Sequence, residues 1–263
     1  MSYALLVGIN YVGQQGELNG CINDTQDIQK LLVEKLNFKE DQIIMLHDNA
    51  DSDRQPTRQN ILRSLVDLAT KATQGKISRL FFHYSGHGYY RKDDDGDEND
   101  GWDEVICPVD YATQGCISDD VLNLIFGIIP PSCNIFSLID CCHSGTMLDL
   151  KYRYKYATQL SVNEINARPL DGNIVMLSGC RDDQTSADAY MESKYNGAMT
   201  KAFVDTLKKY KYSITYLDLL EGMRGYLQSK NFDQVPQLSS SHVINEGTVF
   251  ICSKQNVPFA YTD

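Results

Sequence analysis

Short apolar runs alternate with helical patterns along most of this chain of 263 residues. The apolar runs are rich in β-branched and aromatic residues, which favours strands, and they lie at 3–9, 42–47, 78–84, 133–140 and 173–179. Amphipathic patterns that predict helices lie at 24–36, 57–72, 118–127, 198–210 and 214–229. Continuous apolar strands separated by helices predict an α/β fold, in which a mostly parallel sheet is covered on both faces.

Local signals refine the boundaries of these elements. Asn23 or Asp24 is predicted to cap the first helix, and Thr57 is predicted to begin the second. The short apolar run at 248–252 is predicted to close a sheet. Residues 151–172 form an irregular stretch, which is either a solvated connector or a protease-sensitive loop between two halves of one fold. Its basic residues are Lys151, Arg153, Lys155 and Arg168.

Charge and cysteine usage exclude several classes of protein. The formal net charge is −11, and residues 93–104 hold eight acids and no base. This local acidity argues against nucleic-acid binding and indicates a cation or a basic ligand nearby. The apolar runs are too short to span a bilayer, and the first ten residues lack the features of a signal peptide. Eight cysteines without a CxxC pair predict reduced thiols and a cytoplasmic protein.

The predicted strand at 78–84 runs into the sequence HYSGHG, at residues 83–88. Sites in such folds gather beyond the carboxyl ends of the strands. His83 lies within the apolar run and is interpreted as a core residue. His87 stands between two glycines, which suits a catalytic base on a strand-end loop. The spacing lacks the glutamate of HExxH, so a zinc protease is not indicated.

The predicted strand at 133–140 runs into the sequence DCCHSG. Side chains alternate across a strand, so Asp140 and Cys142 project to one side and Cys141 projects to the other. His143 points away from Cys142 and is a poor base for that thiol. If the site lies on the Asp140 side, Cys142 is the exposed thiol and Cys141 packs under a helix.

The two strand ends together predict a cleft formed by Ser85, His87, Asp140 and Cys142. An unperturbed thiol is mostly protonated at neutral pH, and an imidazole can take its proton and later protonate a leaving amine. Asp140 alone would oppose a thiolate, so we interpret it as a ligand for a positive substrate side chain. The N–H groups of Gly88 and Cys142 are predicted to face the developing oxyanion. The alternative is that these thiols and histidines are scattered through a core.

These motifs resemble those of the metacaspases, within the clan of caspase-like cysteine peptidases. Further matching segments follow in order along nearly the whole chain: ALLVGINY, LNGCINDTQDI, DEVICPVD, ISDDVL and SGCRDDQTSADA. The resemblance implies a single caspase-like domain, a three-layer α/β/α sandwich. Its parts would be a large-subunit-like part at 1–150, a connector at 151–172 and a small-subunit-like part at 173–263.

The resemblance also implies an activity, which is cleavage of proteins or peptides after arginine or lysine. The nucleophile would be Cys142 and the base His87. The residues that match the family's acidic specificity pocket are Cys21, Asp24, Ser85 and Asp140. Calcium is implied as an activator, and the residues that match its ligands are Asp103, Asp119, Asp120 and Asp149. Asp119 and Asp120 could instead serve as plain helix-capping acids.

Regulation and partners follow from the same resemblance. We expect a monomer that binds protein or peptide substrates and neither nucleic acid nor membranes, and self-cleavage in the connector is a candidate means of regulation. The first predicted strand begins at Tyr3, so we expect no inhibitory segment before it. A catalytically silent caspase-like scaffold is the alternative. An aspartate-specific caspase would need a basic pocket, whereas this cleft is acidic.

Overall fold

A computed structural model describes residues 1–92, 102–141, 147–156, 159–162, 170–179, 188–191 and 194–250. The first half of the chain forms β1 (Ser2–Gly8), α1 (Cys21–Lys35), β2 (Ile43–His47), α2 (Arg58–Thr73), β3 (Arg79–Ser85), β4 (Gly88–Lys92), β5 (Trp102–Ile106), α3 (Tyr111–Gln114), β6 (Ile117–Ser118) and α4 (Asp119–Gly127). The second half forms β7 (Asn134–Asp140), β8 (Tyr152–Tyr156), β9 (Gln159–Val162), β10 (Asn173–Ser178), β11 (Asp188–Met191), β12 (Lys194–Gly197), α5 (Ala198–Lys209), α6 (Tyr216–Ser229) and β13 (Gln237–Ser240). None of the helices in these ranges combines the length and apolar character needed to cross a membrane.

The central sheet has the strand order β2-β1-β3-β7-β10-β13-β8-β9. The five strands from β2 to β10 are parallel, and the remaining three add antiparallel pairs at one side. Two smaller sheets, β4-β5-β6 and β11-β12, lie outside it. The prediction of an α/β fold with a mostly parallel central sheet is confirmed.

Helices cover both faces of the central sheet, as the apolar strand runs predict. One face packs against α2 and α4 through side chains such as Leu65 and Phe126. The other packs against α1, α5 and α6, where Phe81, Phe136 and Phe203 form an aromatic cluster. Since side chains alternate along each strand, the face that a residue joins follows from its position. The three-layer arrangement is therefore confirmed.

The first helix begins earlier than predicted. Its N-cap is Gly20, so the prediction of a cap at Asn23 or Asp24 is wrong. The helix is capped from the preceding loop, because Asn10 Oδ1 accepts hydrogen bonds from the N–H groups of Cys21 (3.0 Å) and Ile22 (3.4 Å). Asp24 lies instead in the first turn, fully buried. The predicted start of the second helix at Thr57 is confirmed, since Thr57 is the N-cap of α2 and its hydroxyl accepts from the Asn60 N–H.

Two predictions near the sheet edge differ from the structure. The stretch 151–172 was expected to be irregular, but it contains β8 and β9, and β8 pairs with β13. Its alternating tyrosines explain this, since Tyr154 is buried while Lys151 faces solvent. The run 248–252 was expected to close the sheet, but β13 lies beside β10. Of that run, Val249 forms only an isolated bridge with Thr215, and residues 251–252 lie outside the described residues.

Candidate active site

The carboxyl ends of β3 and β7 lie side by side at one edge of the central sheet. Ser85 pairs with Asp140 in the parallel register, and the Gly86 N–H donates to the Asp140 carbonyl (3.4 Å). The loop after β3 carries His87. The chain after β7 leads through Cys141 to Cys142 and His143, both of which lie outside the described residues. The ends of the two strands that carry these motifs therefore meet where such folds hold their sites.

His87 is half-buried and is oriented by a backbone carbonyl. Its Nε2 lies 2.6 Å from the Gly16 oxygen. A carbonyl oxygen only accepts, so Nε2 carries a proton, and in the neutral form of the ring Nδ1 is the acceptor. The Tyr11 ring packs against the imidazole with centroids 4.5 Å apart. The ring is thereby fixed in the tautomer that a general base requires.

Two buried tyrosines hold the backbone of His87. The Tyr11 hydroxyl accepts from the His87 N–H (2.9 Å), and the Tyr84 hydroxyl donates to the His87 carbonyl (2.7 Å). The hydroxyls lie 3.1 Å apart, and both contact the Cys107 carbonyl, at 2.5 Å for Tyr11 and 3.1 Å for Tyr84. Burial raises the pKa of both tyrosines well above the usual value, so they stay protonated. No local pattern in the sequence indicates this network.

Gly88 begins β4, the edge strand of the small three-stranded sheet. Gly88 faces Ile106, and the Cys107 N–H donates to the His87 carbonyl (3.0 Å) across the same strands. This pattern makes Gly88 and Ile106 a non-hydrogen-bonded pair. The Gly88 N–H therefore lies outside the ladder between β4 and β5. This N–H is therefore not used in the pairing of the two strands, as an oxyanion donor requires.

The predicted specificity residues come together on the α1 side of the sheet. Ser85 Oγ donates to Asp24 Oδ2 (2.8 Å), and Asp24 and Asp140 are both buried. Both carboxylates also accept bonds from the start of α5. The Gly197 N–H lies 2.9 and 3.0 Å from the Asp24 oxygens, and the N–H and hydroxyl of Thr200 each lie 2.9 Å from Asp140 Oδ2.

The remaining predicted pocket residue, Cys21, is the first residue of α1 and is buried. No sequence signal indicates that Gly197 and Thr200 belong to this site, because they lie far along the chain from both acids. The amino end of a helix favours negative charge, so α5 stabilises the pair of carboxylates.

Gly197 leaves no room for a side chain beside the acidic pair. A Cβ there would overlap Asp140 Oδ2 and would lie 2.8 Å from Asp24 Oδ2. The backbone conformation of Gly197, φ −65° and ψ 132°, is open to any residue, so the conflict is purely steric. We expect Gly197→Ala to lower the free energy of unfolding by about 1–3 kcal/mol, measured by urea denaturation.

Gly225→Ala is the matched control for this substitution. Gly225 lies within α6, and a Cβ there would meet nothing within 4 Å. Since alanine is the better helix former, the control should gain roughly 0.5–1 kcal/mol. Equal unfolding energies for the two variants would contradict the close packing at Gly197.

Cys141 and His83 are structural residues. Cys141 is fully buried in the core on the α2 and α4 face, while Asp140 projects to the opposite face. The predicted alternation at DCCHSG is confirmed up to Cys141. His83 is also fully buried, and its Nδ1 donates to the Leu138 carbonyl (3.0 Å), although Nε2 has no hydrogen-bond partner among the described residues. Burial lowers the pKa of His83 to about 4, so its ring is neutral.

Three acids form a cluster between the small sheet and α4. Asp103, Asp119 and Asp120 each place a carboxylate oxygen within 4.8 Å of the others, and Asp103 and Asp119 are buried. Arg91 Nε lies 2.7 Å from Asp103 Oδ2 and supplies a positive charge. Asp119 Oδ2 accepts from the Glu104 N–H (2.8 Å) and so joins α4 to β5. The rest of the acidic run, at 93–101, lies outside the described residues.

The fourth predicted ligand, Asp149, lies in the segment after Cys142. Asp149 is buried and has φ 47°, a left-handed conformation that is uncommon for residues other than glycine. The Asn123 side chain of α4 donates to the neighbouring Leu148 carbonyl (2.9 Å), which places this segment beside α4. Asp149 is not among the three acids grouped within 4.8 Å.

Known proteins are similar to this chain over most of its length. Residues 3–151 match the family model described as "Metacaspase, peptidase C14 domain", a range that contains His87, Cys142 and all of the predicted acids. This chain belongs to the metacaspase family. Among curated metacaspases, Metacaspase-1 of Cryptococcus neoformans is 37% identical over 299 residues, which cover 95% of this chain and 64% of that protein. Metacaspase-1B of Neurospora crassa is 39% identical over 295 residues, which cover 94% of this chain and 68% of that protein.

Solved structures show the same fold as this metacaspase-family chain. A crystal structure of a Geobacter sulfurreducens protein has a TM-score of 0.66 at 24% identity and covers 93% of this chain and 94% of that one. Caspase-1 of Spodoptera frugiperda has a TM-score of 0.59 at 12% identity and covers 98% of this chain and 91% of that one. The caspase-like fold predicted from the motifs is confirmed.

Proposed function

We propose that this chain is a cysteine endopeptidase that cleaves proteins and peptides after arginine or lysine and is activated by calcium. Cys142 is the nucleophile and His87 is the general base. The observation that carries the proposal is the bond from His87 Nε2 to the Gly16 carbonyl, which presents Nδ1 as an acceptor at the strand end that leads to Cys142. Membership of the metacaspase family supports the same activity. We propose that it acts as a monomer in the cytoplasm.

The proposed reaction begins with proton transfer from the Cys142 thiol to His87 Nδ1. The thiolate attacks the scissile carbonyl, and the negative charge that develops on the carbonyl oxygen is stabilised by the N–H groups of Gly88 and Cys142. The Gly88 N–H points away from the ladder between β4 and β5, which supports this role. His87 then donates its Nδ1 proton to the leaving amine, and water hydrolyses the acyl-enzyme.

Asp24 and Asp140 are proposed to bind the basic side chain that precedes the scissile bond. Two carboxylates on one side of a guanidinium give charge-assisted, bidentate hydrogen bonds. Cys21 and Ser85 lie beside them, and Ser85 fixes the orientation of Asp24 through a bond of 2.8 Å. All four side chains are buried, so the substrate must displace part of the surrounding chain to reach the carboxylates. This requirement is met if the pocket around Asp24 and Asp140 opens when the enzyme is activated.

The acidic cluster fits calcium in its donor set. Two oxygens that bind one calcium ion lie at most about 5 Å apart, since each bond measures about 2.3–2.6 Å. The oxygens of Asp103, Asp119 and Asp120, within 4.8 Å of one another, meet this limit. These residues and Asp149 would hold the ion, whose charge would neutralise the cluster and draw β5, α4 and the segment after Cys142 together.

We expect Asp119→Asn to weaken calcium binding and calcium activation by at least about tenfold, because one of the anionic ligands is lost. Asp218→Asn is the matched control, since Asp218 also lies in the first turn of a helix, α6. Calcium affinity is measured by titration calorimetry in a Cys142→Ala background, which needs no activity. Equal calcium affinity in the Asp119 and Asp218 variants would refute the proposed site.

Self-cleavage in the connector is also proposed, with Arg168 as the favoured site. Peptidases bind extended, accessible segments, whereas Arg153 pairs with Ser239 inside the sheet. Lys151 directly precedes the same strand, β8, and Lys155 lies within it. Arg168 itself lies outside the described residues. Intact-mass analysis after calcium addition tests this step, and a chain that stays whole while active would show that processing is not required.

The proposed function is tested with fluorogenic peptides that end in arginine, lysine or aspartate, with calcium or a chelator. We expect calcium-dependent release from the arginine and lysine peptides and none from the Cys142→Ala variant. Preference for aspartate would overturn the pocket assignment, and undiminished activity of the variant would exclude Cys142 as nucleophile. Size-exclusion chromatography with light scattering on the same sample checks the monomer.

A catalytically silent scaffold is the second candidate. The hydrogen bonds from Gly197 and Thr200 favour it, because they give the acidic pair a structural task within the fold. A scaffold would keep these bonds and cleave none of the peptides under any condition. Cleavage that depends on both His87 and Cys142 would exclude it.

A further inference from the structure

Cys107 and Cys116 form a pair of thiols outside the proposed catalytic residues. Cys107 directly follows β5 and Cys116 directly precedes β6, so the antiparallel register that joins Ile106 to Ile117 places the two cysteines opposite each other. Their Sγ atoms lie 3.5 Å apart. A disulfide requires about 2.05 Å between the sulfurs, so a small movement of two facing side chains would close the bond.

The environment of this pair makes one thiol reactive. Cys116 is half-exposed and Cys107 is buried. The hydrogen bond from Cys107 lowers the pKa of Cys116 to about 7, against the opposing effect of burial, and the positive charges of Arg91 and Arg58 contribute. Arg58 is held at this position, because its Nε donates to the Cys116 carbonyl (3.2 Å). A large fraction of Cys116 is therefore thiolate near neutral pH, the form that reacts with oxidants.

Cys133 provides a contrast within the same chain. It is buried in the core, and burial raises its pKa to about 12. A thiol of this kind stays protonated and inert at neutral pH. A mild oxidant should therefore react with Cys116 and leave Cys133 unchanged.

We propose that Cys107 and Cys116 form a dithiol that peroxides convert to a reversible disulfide. The Cys116 thiolate attacks one peroxide oxygen, the O–O bond breaks, and hydroxide leaves and takes up a proton to give water and Cys116 sulfenic acid. The Cys107 thiol then attacks the Cys116 sulfur, the S–O bond breaks, and a second water leaves. Two thiols are oxidised by two electrons, and the peroxide is reduced to water.

The disulfide would act on the proposed base through Cys107. The Cys107 N–H donates to the His87 carbonyl (3.0 Å), and the Cys107 carbonyl accepts from the Tyr11 hydroxyl and contacts that of Tyr84, the two groups that hold the His87 backbone. The loop between the two cysteines also contains Val109, whose carbonyl accepts a hydrogen bond from the Gln14 side chain (3.0 Å). Gln14 lies two residues before Gly16, whose carbonyl orients the His87 ring. Drawing the sulfurs together therefore displaces groups that position the imidazole. We expect the oxidised form to turn over more slowly.

The chemical test uses the Cys142→Ala variant, so that the proposed nucleophile takes no part. The protein is treated with hydrogen peroxide, the excess peroxide is removed, and the chain is unfolded in denaturant and capped with an alkylating reagent. It is then digested with chymotrypsin, which can cut after Tyr111 between the two cysteines. We expect the peptides that contain Cys107 and Cys116 to be joined with loss of two hydrogens. A thiol reductant should separate them, and Cys133 should be alkylated throughout.

Three results would overturn the proposal. Cys116 could gain two oxygens as a sulfinic acid while Cys107 remains a thiol. Either cysteine could pair with a different partner. Cys116 could also remain unmodified at peroxide concentrations that oxidise a small-molecule thiol. Cys116→Ser in the same background is the control, and it must abolish the joined peptides while keeping the thermal unfolding temperature.

The effect on turnover rests on the proposed peptidase function and is measured separately. Chains with Cys142 intact, with and without Cys116→Ser, receive the same peroxide treatment. Oxidation of Cys142 itself is common to both, so the difference between them reports the pair. We expect the chain with both cysteines to lose at least twofold more kcat and to recover that difference with reductant. Equal losses would exclude coupling to His87, whereas failure of the mapping alone would leave the peptidase proposal intact.

Discussion

Replacement of His87 by alanine is expected to lower kcat/KM for arginine peptides by roughly 10²- to 10⁴-fold. Without the imidazole, a thiol with an ordinary pKa of about 8.5 is mostly protonated at neutral pH, and the leaving amine has no acid beside it. The measurement is steady-state cleavage of a fluorogenic arginine peptide in saturating calcium. The residual activity of the variant should rise with pH as the thiol ionises. The activity of the unsubstituted protein should not depend on pH in this way, because His87 removes the proton from the thiol.

His242→Ala is the control for this substitution. His242 is half-exposed, and its Nδ1 lies 2.9 Å from Ser241 Oγ, beyond β13. Its removal should change kcat/KM by less than about twofold, since the ring takes no part in the proposed chemistry. If the two histidine variants retained similar activity, His87 could not be the base.

Replacement of Asp140 by asparagine is expected to lower kcat/KM for arginine peptides by roughly 10²- to 10³-fold. Asparagine keeps the shape of the side chain and can still accept from Thr200, but it removes a buried negative charge facing the proposed guanidinium. The loss should be specific to basic substrates and should appear chiefly in KM. The measurement compares arginine and lysine peptides with a peptide that carries a neutral residue at the same position.

Asp205→Asn is the matched charge control for Asp140. Asp205 lies on the same helix, α5, and pairs with Lys201 at 3.4 Å one turn before it, with both side chains partly buried. Because an ion pair between residues four apart on a helix contributes only about 0.3–0.5 kcal/mol, this variant should keep its selectivity and nearly all of its stability. If Asp140→Asn lowered the unfolding temperature without changing selectivity, the acidic pair would be an anchor for α5 alone.

The fold was predictable where the pattern of the sequence is local. The alternation of apolar runs and amphipathic helices identified β1, β3, β7 and β10, since each is buried on both faces. The β8 strand was not predicted, because it lacks a continuous apolar run. It lies second from the edge of the sheet, and its tyrosines alternate with basic residues. The cap of α1 was misplaced, because it comes from Asn10 in the preceding loop.

The part of the site that was predictable is the part that depends on side-chain alternation along a strand and on which strands lie next to each other. Placing Asp140 and Cys141 on opposite faces needed only the two-residue period of a strand. The contacts made by Tyr11 and Gly197 join segments far apart in the chain, so no local pattern contains them. The orientation of His87 by Gly16 likewise depends on how two loops meet.

The order of strands in the central sheet has a consequence for any nicked form of the protein. A cut after Arg168 would leave β7 and β8 on the first fragment and β10 and β13 on the second. In the sheet, β10 and β13 lie between β7 and β8, so the second fragment is interleaved with the first. The bonds from Gly197 and Thr200 to Asp24 and Asp140 add a second connection. The nicked chain should therefore elute as one particle and separate only in denaturant, and the fragments made apart should have to co-fold rather than dock as preformed bodies.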